Sequence, residues 1–293
     1  MNRGGAVESL NRVHARFMAG CEQSEVRTPH GVWKIYSGGK GNETILFLPG
    51  SLRKAEVWFP VADALSGQFR FVAPSPPPIE TMEEMVSGCL CVMDAHGVDK
   101  FHAVGHSFGG MAAQALAHHM PNRVLSLSLF NTAAPTPLNS SGIHWAFTSG
   151  LTFLARLSMQ VPDKWARWGY PRRLERTHLR TVSDGEKSFW TQFLTEGNER
   201  LSMEEIGAIT LRAVPRFFRD TSFRLGDFRN WHNRVLLVNA EDDATIPRGA
   251  QRGLHALHPH AKVKSFATGG HLLPITRWAQ SGELLSRFLP ALV

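Results

Sequence analysis

"AVGHSFGGMAAQALA", residues 103–117, decides how this chain is read. Its first residues continue "FHAV", a short buried-strand pattern, and its last residues are alanines and leucines that favour helix. Between them Gly105-His106-Ser107-Phe108-Gly109 fits G-x-S-x-G. A strand that turns at once into a helix has no room for side chains two residues on either side of the tip. Glycines at 105 and 109 supply that room, and Gly110 lets helix and strand approach closely. Ser107 is thereby pushed out at the tip, beside the free N–H groups of a helix start. The five-residue pattern alone is weak in a chain of 293 residues; its strand-before, helix-after setting gives it weight.

Moving outward, the same continuous apolar signature recurs in "ETILFLPG", "FRFVAP", "VLSLSLFN" and "RVLLVNA". Unbroken rather than alternating hydrophobicity predicts strands covered on both faces, as in a parallel sheet. Helical patterns separate them at "VWFPVADALS", "TMEEMVSGCLCVMDAHG", "GGMAAQALAHHM", "RGAQRGLHALHP" and "WAQSGELLSRFL". The alternation predicts an α/β fold, a mostly parallel central sheet flanked by helices on both faces. "SEVRTPHG" and "GVWKIYSG" predict a hairpin turning at Pro29 to Gly31. Residues 1–25 read as an N-terminal extension with a short amphipathic helix, and 26–135 with 231–293 as the core. Residues 136–230 hold no convincing buried strand but carry Trp145, Phe147, Phe153, Trp165, Trp168, Trp190 and many arginines. That segment is expected to be a helical cap, or lid, inserted over the carboxyl edge of the sheet, where open α/β sheets bind ligands. Some of its aromatics are expected to line a pocket, and each singly is expected to glue cap to sheet.

The formal charge of +7 raises an anionic partner, but the arginines are scattered without basic runs or a binding motif, so no nucleic-acid role is expected. Cys21, Cys89 and Cys91 are an odd set without metal-ligand spacing, which fits a reducing, cytoplasmic setting. No secretory leader pattern or apolar run of membrane-spanning length occurs, so no stable membrane insertion is expected. The sequence leaves the oligomeric state open.

A serine hydroxyl needs a base, usually an imidazole, oriented by a carboxylate. His271 in "TGGHLLP" follows the apolar run "VKSFA" and two glycines, which puts it on a loop after a strand. His106 is adjacent to Ser107 and is expected to pack or to line the pocket. His96, His118, His119, His255, His258 and His260 fall on helices or their ends, where surface histidine is the ordinary outcome. The loop of "LLVNAEDDATIP" offers Glu241, Asp242 and Asp243 as the acid. Serine, then acid, then histidine is the chain order of groups on successive loops of one sheet.

With these residues in view, the chain resembles the α/β-hydrolase-fold superfamily, of the serine hydrolase type, from residue 26 to 293 apart from the insertion. The resemblance implies a Ser107, Asp243, His271 triad, because the family's D-x-x-x-P pattern selects Asp243 ahead of Pro247, with Asp242 as the alternative. It also implies an oxyanion hole from the backbone N–H groups of Phe108 and of Ser51, or else Leu52. Two departures stand out: Pro49-Gly50 where the family usually has His-Gly, and "SPPPIETMEE" where most members continue with Asp and a glycine-rich turn. In these and in "NTAAPTP" the chain is loosely similar to the maspardin-like branch. The implied activity is hydrolysis of a small to medium, largely apolar ester, thioester or lactone, with no cofactor and no metal. Leu52, His106, Trp145 and Leu272 are the expected pocket residues. A binding or scaffold protein on the same fold, and a lyase, cyclase or C–C bond hydrolase, are the alternatives.

Overall fold

A computed structural model describes residues 4–136, 172, 174–196, 209–221, 223–246 and 248–290, without the side chains of 4–9. Helix α1 (Gly4–Gly20) leads into the antiparallel hairpin β1 (Cys21–Thr28) and β2 (Gly31–Gly39). Strand β3 (Thr44–Leu48) is followed by a 3₁₀ turn at Ala55–Trp58, α2 (Phe59–Leu65), β4 (Arg70–Ser75) and α3 (Met82–Ala95). Then come β5 (Phe101–His106), α4 (Phe108–His119) and β6 (Val124–Phe130). The described part of the long connection from β6 holds α5 (Asp184–Thr195) and a π-helical turn, Ile209–Ala213, running into α6 (Val214–Asp220). The chain returns through β7 (Val235–Ala240), α7 (Arg248–Leu257), β8 (Lys262–Phe266), α8 (Leu273–Thr276) and α9 (Trp278–Phe288).

The strands form one sheet in the order β1-β2-β4-β3-β5-β6-β7-β8, antiparallel in its first two pairings and parallel from β4 onward. This is the expected α/β architecture. The unbroken apolar runs are explained by what each face covers. In β3, Leu46 and Leu48 point into the core beneath α3 and α4, whereas Ile45 and Phe47 point into the core beneath α1, α2 and α9. In β7, Leu237 and Leu236 divide the same way. Alternate side chains meet opposite helix layers, so Ile45 to Leu48 and Val235 to Val238 are apolar without a break.

Local signals fix the helix starts. Thr81 accepts the Glu84 N–H at the start of α3, and Ser183 and Glu186 form a reciprocal capping box at the start of α5. Trp190 of α5 is fully buried, its ring 5.3 Å from that of Phe59 in α2. This aromatic therefore joins the connection to the core. Trp145, Phe147, Phe153, Trp165 and Trp168 lie outside the described residues.

Three local readings differ from the sequence. Strand β1 begins at Cys21, within the segment read as an extension, and α1 packs on α2 through Phe17, whose ring is 6.1 Å from Phe59. "VKSFA" is no buried run: β8 lies at the end of the sheet, its residues from Lys262 to Ser265 are exposed on both faces, and Val263 is 51% exposed. His258 is not at the surface but buried, its Nε2 3.2 Å from Oε1 of Gln114, with its ring against Phe228.

The glycines at the Ser107 turn have direct steric causes. A Cβ on Gly105 would stand 2.2 Å from the Gly109 carbonyl oxygen, and one on Gly109 2.2 Å from that of Leu48. Both obstacles are backbone. Gly109→Ala is expected to lower unfolding free energy by about 1–3 kcal/mol, whereas Gly67→Ala, with nothing within 4 Å, stays within about 0.5 kcal/mol. Urea unfolding of the two variants checks this.

Candidate active site

Ser107 sits between β5 and α4 with φ 54° and ψ −118°, a conformation rarely tolerated outside glycine. The surrounding structure holds it there. Its N–H donates to the Phe130 carbonyl at 3.0 Å, and its own carbonyl accepts from Gly110 N–H at 3.0 Å and the Thr132 hydroxyl at 2.6 Å. The side chain is left facing His271, with Oγ 3.0 Å from Nε2. His271 Nδ1 lies 3.0 Å from Asp243 Oδ2. A carboxylate only accepts, so Nδ1 carries the proton and Nε2 presents its lone pair to the serine hydroxyl. The Asp243 side chain has no exposed surface and that of His271 has 10%.

Asp243 is anchored by the turn that follows it. Its Oδ1 accepts from Thr245 N–H at 2.7 Å and Ile246 N–H at 3.2 Å, leaving Oδ2 for the imidazole. Burial alone would raise this carboxyl, but the hydrogen bond and charge of His271 and the two amides outweigh it. The pKa falls below the ordinary carboxylate value. Asp242, the neighbouring alternative, points elsewhere: Oδ1 accepts the Gly270 N–H at 2.7 Å and Oδ2 the Arg180 guanidinium at 3.0 Å. Burial opposes its ionisation too, yet these two partners also hold its pKa low. Asp242 therefore fastens the loop next to His271 and links it to the segment leading into α5.

Two more side chains fix that loop from below. Asn131, fully buried at the end of β6 with φ 40°, donates to the Gly270 carbonyl at 2.7 Å and the His271 carbonyl at 2.9 Å. Its Oδ1 accepts the Ala240 N–H at 2.9 Å, tying the end of β7 to the same point. His106 Nε2 also donates to the His271 carbonyl, at 2.7 Å. His106 is thus a buried brace behind the histidine loop rather than part of a pocket surface. Burial, reinforced by the charge of His271, pushes its pKa down to about 3.

Asn131, Arg180 and His178 escape the sequence reading. The His178 ring lies 6.3 Å from that of His271. A polar residue closing the β6 run, at the same sheet edge as the other loops, was the available signal for Asn131. For Arg180 and His178 no local signal exists.

The loop after β3 adjoins the turn: a Cβ on Gly50 would lie 3.6 Å from Ser107 Cβ. Ser51 follows Gly50 there, and Phe108 occupies the first position of α4, where an amide has no acceptor within its helix. Leu52 and Leu272 are half-buried, packed against the core under α2 and α9. Trp145 and Pro247 lie outside the described residues. Among the described residues no group of three or more His, Cys, Asp or Glu is placed to hold a metal ion, and no helix is long and apolar enough to cross a membrane.

The buried imidazoles make stability depend on pH. Burial also takes His258 down to about 3. An imidazole kept neutral in the folded state takes up its proton only on unfolding. Its contribution is complete above the ordinary value of 6.5 and declines as pH falls toward about 3. Between pH 7 and pH 5 each group is expected to remove about 2 kcal/mol from the unfolding free energy. Urea titrations at the two pH values read the loss, and His106→Gln should shrink it by about 2 kcal/mol.

Comparison with known proteins identifies the family and the fold. Residues 43–277 match the family described as alpha/beta hydrolase fold. RutD of Caulobacter segnis, named as a candidate carbamate hydrolase, is 27% identical over 268 residues, spanning 87% of this chain and 90% of that protein. Maspardin of Danio rerio is 25% identical over 256 residues, spanning 85% and 75%. A crystal structure of a serine hydrolase from Cycloclasticus zankles matches with a TM-score of 0.69 at 20% identity, covering 92% of this chain and 98% of the other. That last likeness speaks to fold. With the family model matching residues 43–277, most of its length, this chain belongs to the alpha/beta hydrolase fold family.

Proposed function

We propose that this chain is a serine hydrolase acting on a small to medium, largely apolar ester, thioester or lactone. One observation carries the reading: the hydrogen-bonded line from Asp243 through His271 to Ser107, with both separations at 3.0 Å and the serine held on a strained turn. In this reading Ser107 Oγ attacks the substrate carbonyl while its proton passes to His271 Nε2. Asp243 holds the imidazole in the required tautomer and stabilises the imidazolium. The amides of Ser51 and Phe108 hold the developing oxyanion, each worth on the order of 3 kcal/mol. His271 then gives the proton to the leaving group, and the same base activates water to release the acid from Ser107.

Asp242 acts at one remove, by holding Gly270 and hence the seat of His271. The segment 136–230 is proposed to cap the site. Support comes from its described part, where His178 approaches His271 and Arg180 pairs with Asp242. Free thiols at Cys21, Cys89 and Cys91 support a cytoplasmic setting. The name of RutD adds carbamates to the carbonyl compounds worth screening.

The test is intact-protein mass after exposure to a fluorophosphonate, which labels activated serines. Wild type is expected to gain one adduct, and Ser107→Ala none. Asp243→Asn should slow labelling about a thousandfold or more, and Asp242→Asn, which removes only an anchor, by about tenfold or less. A folded wild-type protein that stays unlabelled refutes the proposal and favours a binding role.

A further inference from the structure

Lys54 stands three residues after Ser51, in no position the family pattern singles out. Its ammonium leaves its own loop and donates to the Phe193 carbonyl at 2.9 Å and to the Glu196 carbonyl. Both acceptors lie at the C-terminal end of α5, where unpaired carbonyls and the helix dipole favour a cation. Lys54 also lies over the Phe193 ring, 5.6 Å from its centre. Burial pulls its pKa down, against the nearby Glu56 and Glu196, so the ammonium is held in a partly desolvated place.

The loop between Gly50 and Lys54 is stiff. Arg53 N–H closes a turn on the Gly50 carbonyl at 3.0 Å, with Ser51 and Leu52 as its central residues. Arg53 itself is in the left-handed region, φ 60°, and its guanidinium donates to the Pro76 carbonyl at 3.3 Å. Beyond Lys54, Ala55 N–H is fixed on the Ser75 hydroxyl at 3.0 Å. A turn so pinned passes a displacement of Lys54 on to the Ser51 amide. The same stretch of chain, residues 174–196, reaches the opposite side of the site through Arg180 and Asp242. It therefore grips both the loop carrying Ser51 and the loop carrying His271.

We propose that Lys54 is a positioning residue that couples the seating of α5 to the Ser51 amide, so that oxyanion binding is complete only when α5 is docked. The proposal rests on the serine hydrolase reading for its catalytic consequence, though the mechanical coupling stands apart from it.

The experiment compares wild type, Lys54→Met and Lys54→Arg in the full chain. Acylation by p-nitrophenyl acetate is followed alongside hydrogen exchange of the amides at 50–53 and 193–196. Lys54→Met is expected to lower the acylation rate constant by about tenfold or more with KM little changed. Lys54→Arg, able to reach the same two carbonyls, restores most of the rate. Exchange should quicken at both ends of the link in Lys54→Met. Wild type that never acylates removes the hydrolase reading but leaves exchange at 50–53 to decide the coupling. Unchanged exchange there overturns the proposal, as does a loss of rate that arginine fails to rescue. Should Lys54→Met not fold, Ser183→Ala, which loosens the far end of α5, is expected to quicken exchange at 50–53, and failure to do so overturns the coupling.

Discussion

Everything in this site depends on one backbone constraint, the positive φ of Ser107 between β5 and α4. A residue with a side chain resists that conformation, and only the close packing around it keeps it populated. The packing is available because Gly105 and Gly109 let backbone meet backbone, and Gly110 lets the Thr132 side chain press against the helix start, where any Cβ would collide. With the turn set, the hydroxyl stands out from the end of the sheet and faces His271. The chemistry then requires only that other loops at that end bring an imidazole to meet it.

Delivering the imidazole takes more polar machinery than the three central residues. The His271 carbonyl receives two buried donors, from Asn131 and His106, and the Gly270 amide is received by Asp242. Buried groups of this kind are expensive to leave unpaired, so the loop has one arrangement in which all are satisfied. The two adjacent aspartates divide the labour: Asp243 orients the ring and Asp242 the backbone beside it. Neither task is interchangeable, because the amides of Thr245 and Ile246 occupy the far oxygen of Asp243 alone.

How much of this the sequence discloses depends on the distance over which each feature is decided. The Ser107 turn is legible because its steric demands fall within five residues, and the parallel strands because double-sided burial leaves unbroken apolar runs. The choice between Asp242 and Asp243 is left open by loop chemistry, since neighbours on a loop differ only in where the backbone aims them. Asn131 escapes because its partners are 109 to 140 residues away, and Arg180 because Asp242 is 62 residues away. His258 reads as a surface residue at the end of a helix, and only the packed fold reveals Gln114 and Phe228 around it. "VKSFA" misleads in the other direction: Lys264 and Ser265 between its apolar residues already mark a strand open to solvent, and the apolar residues alone conceal that.

That strand, β8, ends the parallel side of the sheet, and among the described residues one row of its amides and carbonyls faces no further strand. Such a border is a template on which another chain can pair. Lys262 and Lys264 share one face of it, and their ammonium groups sit over the rings of Phe288 and Phe266. A second copy laid alongside in register would crowd like charges and pull these cations from their aromatic seats. The border thus resists self-templating by repulsion, in a chain whose formal charge of +7 already works against accidental clustering.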